Sequence, residues 1–327
     1  MTADWWELRH AYGRATDTPA HLRALESDDA EAHAAALDHL DVAVLHQGFP
    51  DSATAPAVRA VTELLAAGRA HPDTVEGLLE FLGDAARSAA DVTGSDYFAV
   101  LLPELRETVA AAYPVALALL DAVPPDRTVV RASQLVEMAR IANPADGHEH
   151  LMTLLRDLAT RDPGPRERWV HCLARLGADL RALFSDPDPA VRLRAALTHA
   201  AEPHGRELIR AALAAPLPAG VYRGELVRAA IRNAPDIDSI ATEAADFIGR
   251  DDWTGFDDGW GALVSFAFPE RSEPLTGTRR RILWALAGND DQEIWNPGNG
   301  SCRLVFTRAG LPHDRGACRR LADDVDR

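Results

Sequence analysis

The chain has little cysteine, few aromatic residues, no lysine and no long apolar run. Three cysteines occur among its 327 residues, aromatic side chains make up 6%, and all 34 basic residues are arginine. Cys172, Cys302 and Cys318 form no C-x-x-C pair, which argues against a disulfide framework or a zinc knuckle. No apolar run approaches the ~18 residues of a spanning helix, and no basic segment followed by an apolar core opens the chain. We therefore expect a cytoplasmic protein without a membrane partner.

Acidic side chains outnumber the basic ones. The 50 aspartates and glutamates give a formal net charge of −16, and residues 1–100 alone carry a net of −11. A surface of this kind repels phosphate backbones and anionic lipids, whereas it attracts basic proteins. The charge argues against nucleic acid as a partner and favours a protein partner that is basic.

The apolar residues recur at helical spacing, while alternating strand patterns are scarce. Hydrophobic residues make up 47% of the chain and many are alanine, which suits closely packed helices. The apolar segments come in pairs about every 35 to 45 residues, separated by proline, aspartate or glycine, which is typical of an α-solenoid. We predict an all-α fold, with antiparallel helix pairs over residues 1–249 and a divergent cap over residues 250–327.

The stretch Leu180–Ala201 predicts one complete helix, turn and helix. Pro187 ends the first helix, Asp188 is the expected N-cap of the second, and Pro189 is its first residue. The turn is followed by Val191, Arg192, Ala195, Ala196 and Leu197. This order of residues resembles a HEAT repeat. The resemblance implies that Arg192 pairs with the turn aspartate of a neighbouring repeat. It also implies that Asp188 pairs with the corresponding arginine of a neighbouring repeat.

A second resemblance lies near the N-terminus. The residues that carry it are Trp6, Leu8, His10 to Gly13, Ala15, Asp17, Pro19, His46 to Gly48, Ala53, Thr54 and Val58. They are similar to an actinobacterial family of HEAT-repeat proteins, most of unassigned function. The resemblance implies a fold and a cytoplasmic location but no catalytic set. Gly48 and Pro50 predict a helix end here, which makes His46 and Gln47 candidates for ligand contact or for a charge switch.

Tryptophan and aspartate concentrate after residue 250. Trp253, Trp260 and Trp295 alternate there with acidic residues such as Asp257. One interpretation is a terminal cap that replaces the apolar contact of a missing neighbour. The other is a binding surface formed by these four residues. Apolar walls around a carboxylate can raise its pKa, so a pocket for acid or base chemistry on a small molecule also fits.

No pattern predicts a metal or a cofactor. His148 and His150, in the cluster Asp146–His150, would point about 200° apart on a helix, whereas helical zinc sites use an i, i+4 spacing. His33, His39 and His46 follow one another at steps of six and seven residues, which do not keep to one helix face. We interpret Cys172 as a packed core thiol. The arginines between residues 156 and 194 are better explained as solvent-exposed side chains, or as partners of acidic residues in neighbouring repeats, than as a row of phosphate-binding groups.

Three functions remain compatible with the sequence, and none of them has an assigned catalytic residue. The first is an interaction scaffold or immunity-type regulator that receives a protein on the concave surface of the solenoid. The second is a small-molecule enzyme with a pocket in the aromatic and acidic C-terminal region. The third is a HEAT-like alkylpurine DNA glycosylase, which needs a basic groove and is therefore disfavoured by the net charge of −16.

Overall fold

The structure consists mostly of helices. The computed structural model describes residues 3–92, 96–119, 128–142, 148–161, 166–269 and 275–324. These ranges contain 17 helices and almost no strand, and the chain is 72% helical, so the all-α prediction is confirmed. Nowhere in them is a helix both long enough and apolar enough to cross a membrane.

The chain divides into two compact units, Met1–Ala178 and Asp179–Arg327. The predicted boundary between array and cap, at residues 249 and 250, falls inside the second unit. That division of the chain stays a prediction.

The first unit opens with a short hairpin and continues as helices. Its strands β1 and β2 are antiparallel, with Arg9 opposite Arg14. Asp29 caps the second helix because its side chain accepts from the backbone N–H groups of Glu31 and Ala32. The elements are β1 (Arg9–His10), β2 (Gly13–Arg14), α1 (Thr18–Ala24), α2 (Ala30–His39), α3 (Thr54–Ala66), α4 (Val75–Asp91), α5 (Asp96–Ala118), α6 (Thr128–Ala142), α7 (Glu149–Arg161) and α8 (Arg166–Arg175).

The second unit contains nine further helices among its described residues. They are α9 (Pro189–Thr198), α10 (Pro203–Leu213), α11 (Arg223–Asn233), α12 (Ala241–Ile248), α13 (Trp260–Ala267), α14 (Gly277–Gly288), α15 (Gln292–Trp295), α16 (Gly300–Ala309) and α17 (Arg315–Asp323). The predicted cap of α9 is confirmed, because the Asp188 carboxylate accepts from the Ala190 N–H at 2.9 Å and Pro189 is the first residue. The segment before it, Arg181–Ser185, is a 3₁₀ turn and not the predicted α-helix. Five residues before a proline-containing break are too few for a run of i to i+4 bonds.

The helices of the second unit pack in two rows. In one row α9 contacts α11, α11 contacts α13, and α13 contacts α16. In the other row α10 contacts α12, α12 contacts α14, and α14 contacts α17. The apolar faces of both rows meet in one core, where Leu226, Trp260 and Phe306 are fully buried.

Arginine and carboxylate pairs join successive helices within each row. Arg194 of α9 donates to Glu225 of α11 at 2.7 Å, and Arg210 of α10 donates to Glu243 of α12 at 2.8 Å. Arg192, which the HEAT resemblance places in such a ladder, instead donates to a backbone carbonyl of its own turn, that of Pro187 at 3.0 Å. The side chain of Arg194 faces α11, and therefore it makes the pair between helices.

Candidate functional site

The backbone after α2 departs from α-helical geometry. Leu40–Val44 is π-helical, and His46–Gly48 is a 3₁₀ turn in which Gln47 has φ +53° and ψ 29°. Gln47 is the one residue other than glycine with a positive φ in the described part of the chain. A left-handed conformation costs a residue with a side chain about 1 kcal/mol, so surrounding contacts must hold it. π-helical segments and such outliers concentrate at functional sites.

Two neighbouring helices hold this segment in place. Ser88 of α4 donates its hydroxyl to the carbonyl of Gly48 at 2.7 Å. Thr54, at the start of α3, donates its hydroxyl to the carbonyl of Val44, also at 2.7 Å. Both carbonyls lie where α-helical bonding has stopped, so these side chains supply partners that the segment lacks. We call residues His46–Phe49 the Gln47 turn.

The structure places both N-terminal candidates of the sequence analysis on the Gln47 turn. His46 is half-buried; its Nδ1 donates to the carbonyl of Val42 at 2.8 Å, and its ring centroid lies 5.6 Å from that of Tyr12. Gln47 is exposed and makes no side-chain hydrogen bond with a described residue. A ligand at this turn would therefore find the Gln47 amide available, while one nitrogen of His46 is already engaged.

A groove of about 390 Å³ adjoins the Gln47 turn. We call it the acidic groove; its lining residues are Leu37, Asp38, Asp41, Leu45, Gly77, Glu80, Phe81 and Asp84. Leu45 and Phe81 are buried and form an apolar floor. Asp38, Asp41 and Glu80 are exposed and make no ion pair with a described residue, whereas Asp84 pairs with Arg87. Three carboxylates without an ion-pair partner among the described residues therefore stand over apolar surface, and Arg87 lies near enough to Glu80 to interact with its charge.

The acidic groove and the Gln47 turn are physically joined. Leu45 lines the groove and directly precedes the turn, and the Ser88 hydroxyl bonds both the Asp84 carbonyl at 3.0 Å and the Gly48 carbonyl. Phe49, the last residue of the turn, is 54% exposed, and Tyr97 is 52% exposed. The resulting surface combines negative charge, apolar area and aromatic rings, and it lies wholly within the first unit.

A cluster of histidines lies beneath the hairpin. Nitrogen and oxygen atoms of His10, Asp17 and His39 come within 4.8 Å of one another, a spacing that could suit a metal ion. Nε2 of His10 is 3.0 Å from an Asp17 oxygen, and Nε2 of His39 is 2.9 Å from the Thr18 hydroxyl. The ring of His21 stacks on that of His39 with centroids 4.1 Å apart. We call these five residues the histidine cluster.

The hydrogen bonds of His10 argue against a metal in the histidine cluster. The backbone N–H of Tyr12 donates to Nδ1 of His10 at 3.1 Å. Nδ1 is therefore the acceptor, and from this network we assign the ring proton to Nε2, which donates to Asp17. A metal-bound imidazole has the opposite arrangement, because it donates its second N–H to an acceptor. A metal at Nε2 would break the bond from Tyr12.

Burial and charge keep His39 neutral. Removal from water, together with the like charge of the neighbouring His21, lowers the pKa of His39 to about 4, against a smaller opposite effect of Asp17. The spacing of His33, His39 and His46 predicts no helix face common to all three. In the structure α2 ends at His39, so His39 lies in the buried cluster and His46 on the surface turn.

Sequence reasoning missed His10 and Asp17 as partners. The signal that could have found them is the turn between them, since Gly13 takes φ +135° and lets β1 and β2 reverse direction. The reversal brings two residues seven positions apart into hydrogen-bond contact.

The four C-terminal candidates divide between core and surface. Trp260 is fully buried with its ring 5.8 Å from that of Phe306, and Trp295 is partly buried and also packs on Phe306 at 5.3 Å. Trp253 is 40% exposed and Asp257 is exposed. The side chains of Trp260 and Trp295 therefore serve the core, while those of Trp253 and Asp257 lie at the surface.

The buried carboxylate among these tryptophans is Asp251, which the sequence analysis did not single out. One oxygen accepts from Arg223 at 2.7 Å and the other from the backbone N–H of Trp260 at 2.9 Å. Burial raises its pKa, against the opposite effect of these bonds. A Cβ on Gly255 or Gly259 would lie 2.1 Å or 2.3 Å from the second oxygen. The backbone of Gly255 and Gly259 thus lies close against that oxygen, and the cavity that Asp251 lines has a volume of about 90 Å³.

Within the described part of the chain, the other cysteine, histidine and arginine residues considered from the sequence show no sign of a ligand site. Cys172 is buried, and burial raises the pKa of its thiol to about 12, which confirms the packed thiol. His150 lies exposed in α7, whereas Asp146 is outside the described residues. Arg175 donates to the buried Glu137 at 2.7 Å and 2.8 Å, which agrees with a laddering role.

Compared with known protein families, with curated proteins and with solved structures, the sequence gives no match.

Proposed function

We propose that this protein is a HEAT-type α-solenoid protein of the cytoplasm that binds a basic segment of a partner protein in the acidic groove. The observation that carries the proposal is the set of three exposed carboxylates, Asp38, Asp41 and Glu80, that stand without a described ion-pair partner above the apolar floor of Leu45 and Phe81. The Gln47 turn and its aromatic neighbours form the continuation of that binding surface.

The repeat architecture is supported by the two helix rows of the second unit. From α9 to α14, helices two positions apart in the chain pack on one another, as the members of stacked helix pairs do, and α13 and α14 then pack on α16 and α17. The pairs Arg194–Glu225 and Arg210–Glu243 link successive members of each row. A cytoplasmic location is supported by the three cysteines, which are all free and buried, as expected in a reducing compartment.

The chemistry of the acidic groove selects a basic segment. An arginine or lysine can lay its aliphatic stem on Leu45 and Phe81 while its charged end reaches the carboxylates. The exposed rings of Phe49 and Tyr97, which lie outside the groove lining, add sites for cation–π contact. The net charge of −11 on residues 1–100 would also speed the encounter with a basic partner.

Binding of a designed peptide tests this proposal. A fluorescein-labelled peptide of alternating arginine and leucine is titrated with the full chain at low salt, and its anisotropy is followed. Glu80→Gln removes one carboxylate of the groove and should weaken binding about two- to fivefold, and adding Asp41→Asn should bring the loss to roughly tenfold. Glu63→Gln is the matched control, because Glu63 is exposed on α3 and outside the groove.

The comparison of the two glutamate variants decides the outcome. Equal losses with Glu80→Gln and Glu63→Gln would mean diffuse attraction to an acidic surface and would reject a specific groove. Equal binding of a peptide of alternating glutamate and leucine would reject the charge argument altogether.

A further inference from the structure

The second unit contains a groove of opposite character. It has a volume of about 710 Å³ and lies between α10, the end of α11 and the 3₁₀ turn Ile237–Ile240. Arg206, Arg210 and Arg232 line it together with Ile209, Ala230 and Ile240. We call it the arginine groove. Three guanidinium groups around one cavity are unexpected in a chain whose net charge is −16.

The three arginines differ in how far their hydrogen bonds are used. Arg232 is exposed and makes no ion pair or hydrogen bond with a described residue. Arg206 donates one bond, to the carbonyl of Ala201 at 3.0 Å, and pairs with no described carboxylate. Arg210 is bound to Glu243 at 2.8 Å. Two guanidinium groups therefore retain donors for a ligand that enters the groove.

The rest of the lining adds apolar area and one negative charge. Ile209, Ala230 and Ile240 are buried and form the floor. Glu207 is the one carboxylate among the lining residues, and it lies 3.7 Å from His204 at the exposed rim. Glu243 neutralises Arg210, and Arg206 and Arg232 against Glu207 still leave the groove positive, so it favours an anionic ligand that carries an apolar group beside its charge.

We propose that the arginine groove binds a small molecule that carries a phosphate monoester next to an apolar or aromatic group. Guanidinium groups match the geometry and charge of phosphate oxygens, and the floor would take the apolar group. The ligand site goes beyond the proposed function, since it lies in the other unit and takes the opposite charge.

Size and charge favour a small molecule over a polymer. The volume of the groove falls within the range of small-molecule pockets, about 300 to 1,000 Å³. A long polyanion such as nucleic acid would also have to lie along the remaining surface of a chain whose net charge is −16, which a single phosphate monoester avoids. A phosphorylated peptide would have to lay further backbone on the same surface.

Calorimetric titration of the full chain with phenyl phosphate tests the assignment. Inorganic phosphate and phenol are titrated separately, so that the contributions of the charged and the apolar parts can be compared. We expect phenyl phosphate to bind at least several-fold more tightly than either part. Its affinity should fall below about pH 6, where the dianion gains a proton.

Substitution of the two available arginines identifies the groove. Arg232→Gln and Arg206→Gln should each weaken phenyl phosphate binding about tenfold, as expected for a charged hydrogen bond. Arg228→Gln is the matched control; Arg228 lies on the same helix as Arg232, is exposed, and pairs with Asp258 at 3.1 Å outside the groove. Circular dichroism checks that each variant remains helical.

Several results would overturn the proposal. Absence of saturable binding, or binding that Arg232→Gln and Arg228→Gln weaken equally, would show that the groove does not recognise the ligand. Equal affinity for phenol would remove the role of the phosphate, and equal affinity for inorganic phosphate would remove that of the apolar floor. Tighter binding of a phosphoserine peptide through the same arginines would replace a small molecule with a phosphorylated protein.

Discussion

The histidine cluster makes the stability of the first unit depend on pH. His39 is kept neutral by burial, with His21 stacked on it, and both effects lower its pKa to about 4 in the folded chain from 6.5. In the unfolded chain the ring takes up a proton at about pH 6.5. Between these values the unfolded state binds more protons than the folded state, so stability is lost as pH falls.

The size of this loss follows from the two pKa values of His39. The full shift corresponds to about 3 kcal/mol, which is reached below pH 4. Between pH 7.5 and pH 5 the loss is about 2 kcal/mol, because protonation of the folded state has barely begun at pH 5. Above about pH 7.5 the contribution is essentially complete and no longer changes.

The test compares the wild-type chain with His39→Gln. Glutamine can still form a hydrogen bond with Thr18 but does not titrate. The opening free energy of α1 and α2 is measured by hydrogen exchange with mass spectrometry in urea, at pH 7.5 and at pH 5. The wild type should lose about 2 kcal/mol more than the variant over this interval. His150→Gln, which removes an exposed imidazole of the same unit, should retain the wild-type dependence.

The change in stability between the two pH values, and not the stability at one pH, shows whether the pKa of His39 differs between the folded and unfolded states. His39→Gln can alter packing and shift the free energy of unfolding equally at both pH values. If the wild type and His39→Gln lose the same stability between pH 7.5 and pH 5, His39 titrates alike in both states, and the account of the cluster is wrong.

Substitutions at three further positions have defined outcomes. Gln47→Gly should raise the free energy of unfolding by up to about 1 kcal/mol, because glycine takes the positive φ without strain; a loss in urea titrations would contradict this. Asp188→Ala should lower it by about 1 kcal/mol through loss of the α9 cap, and Asp188→Asn should restore most of that in the same titrations. Gly259→Ala should cost about 3 kcal/mol, because the new Cβ would displace Asp251 from the Trp260 N–H; a melting temperature equal to that of the wild type would refute the close packing.

Patterns within about ten residues were sufficient to predict much of the local structure. Asp188 followed by Pro189 determines where α9 begins, since a cap needs only an acceptor next to the first free N–H groups. The segment Arg181–Ser185 is the exception, because the apolar spacing predicts a helix there while the available length permits only a 3₁₀ turn.

Contacts between distant residues could not be predicted in the same way. The HEAT resemblance pointed to Arg192, but the side chain that bridges α9 and α11 is Arg194, since only the packing of the two helices determines which arginine faces the partner. Likewise the aromatic and acidic composition pointed to Asp257, whereas the backbone of the same segment closes over Asp251.

The candidate site shows the same division. Composition alone established an acidic, helical chain, and the motif at Gly48 directed attention to the Gln47 turn, because charge and local turn preferences are properties of short stretches. Only the tertiary structure brought Asp41 and Glu80 to one groove and His10, Asp17 and His39 to one cluster. The reason is physical: these residues come from separate elements, and their distances depend on how the apolar faces of those elements pack.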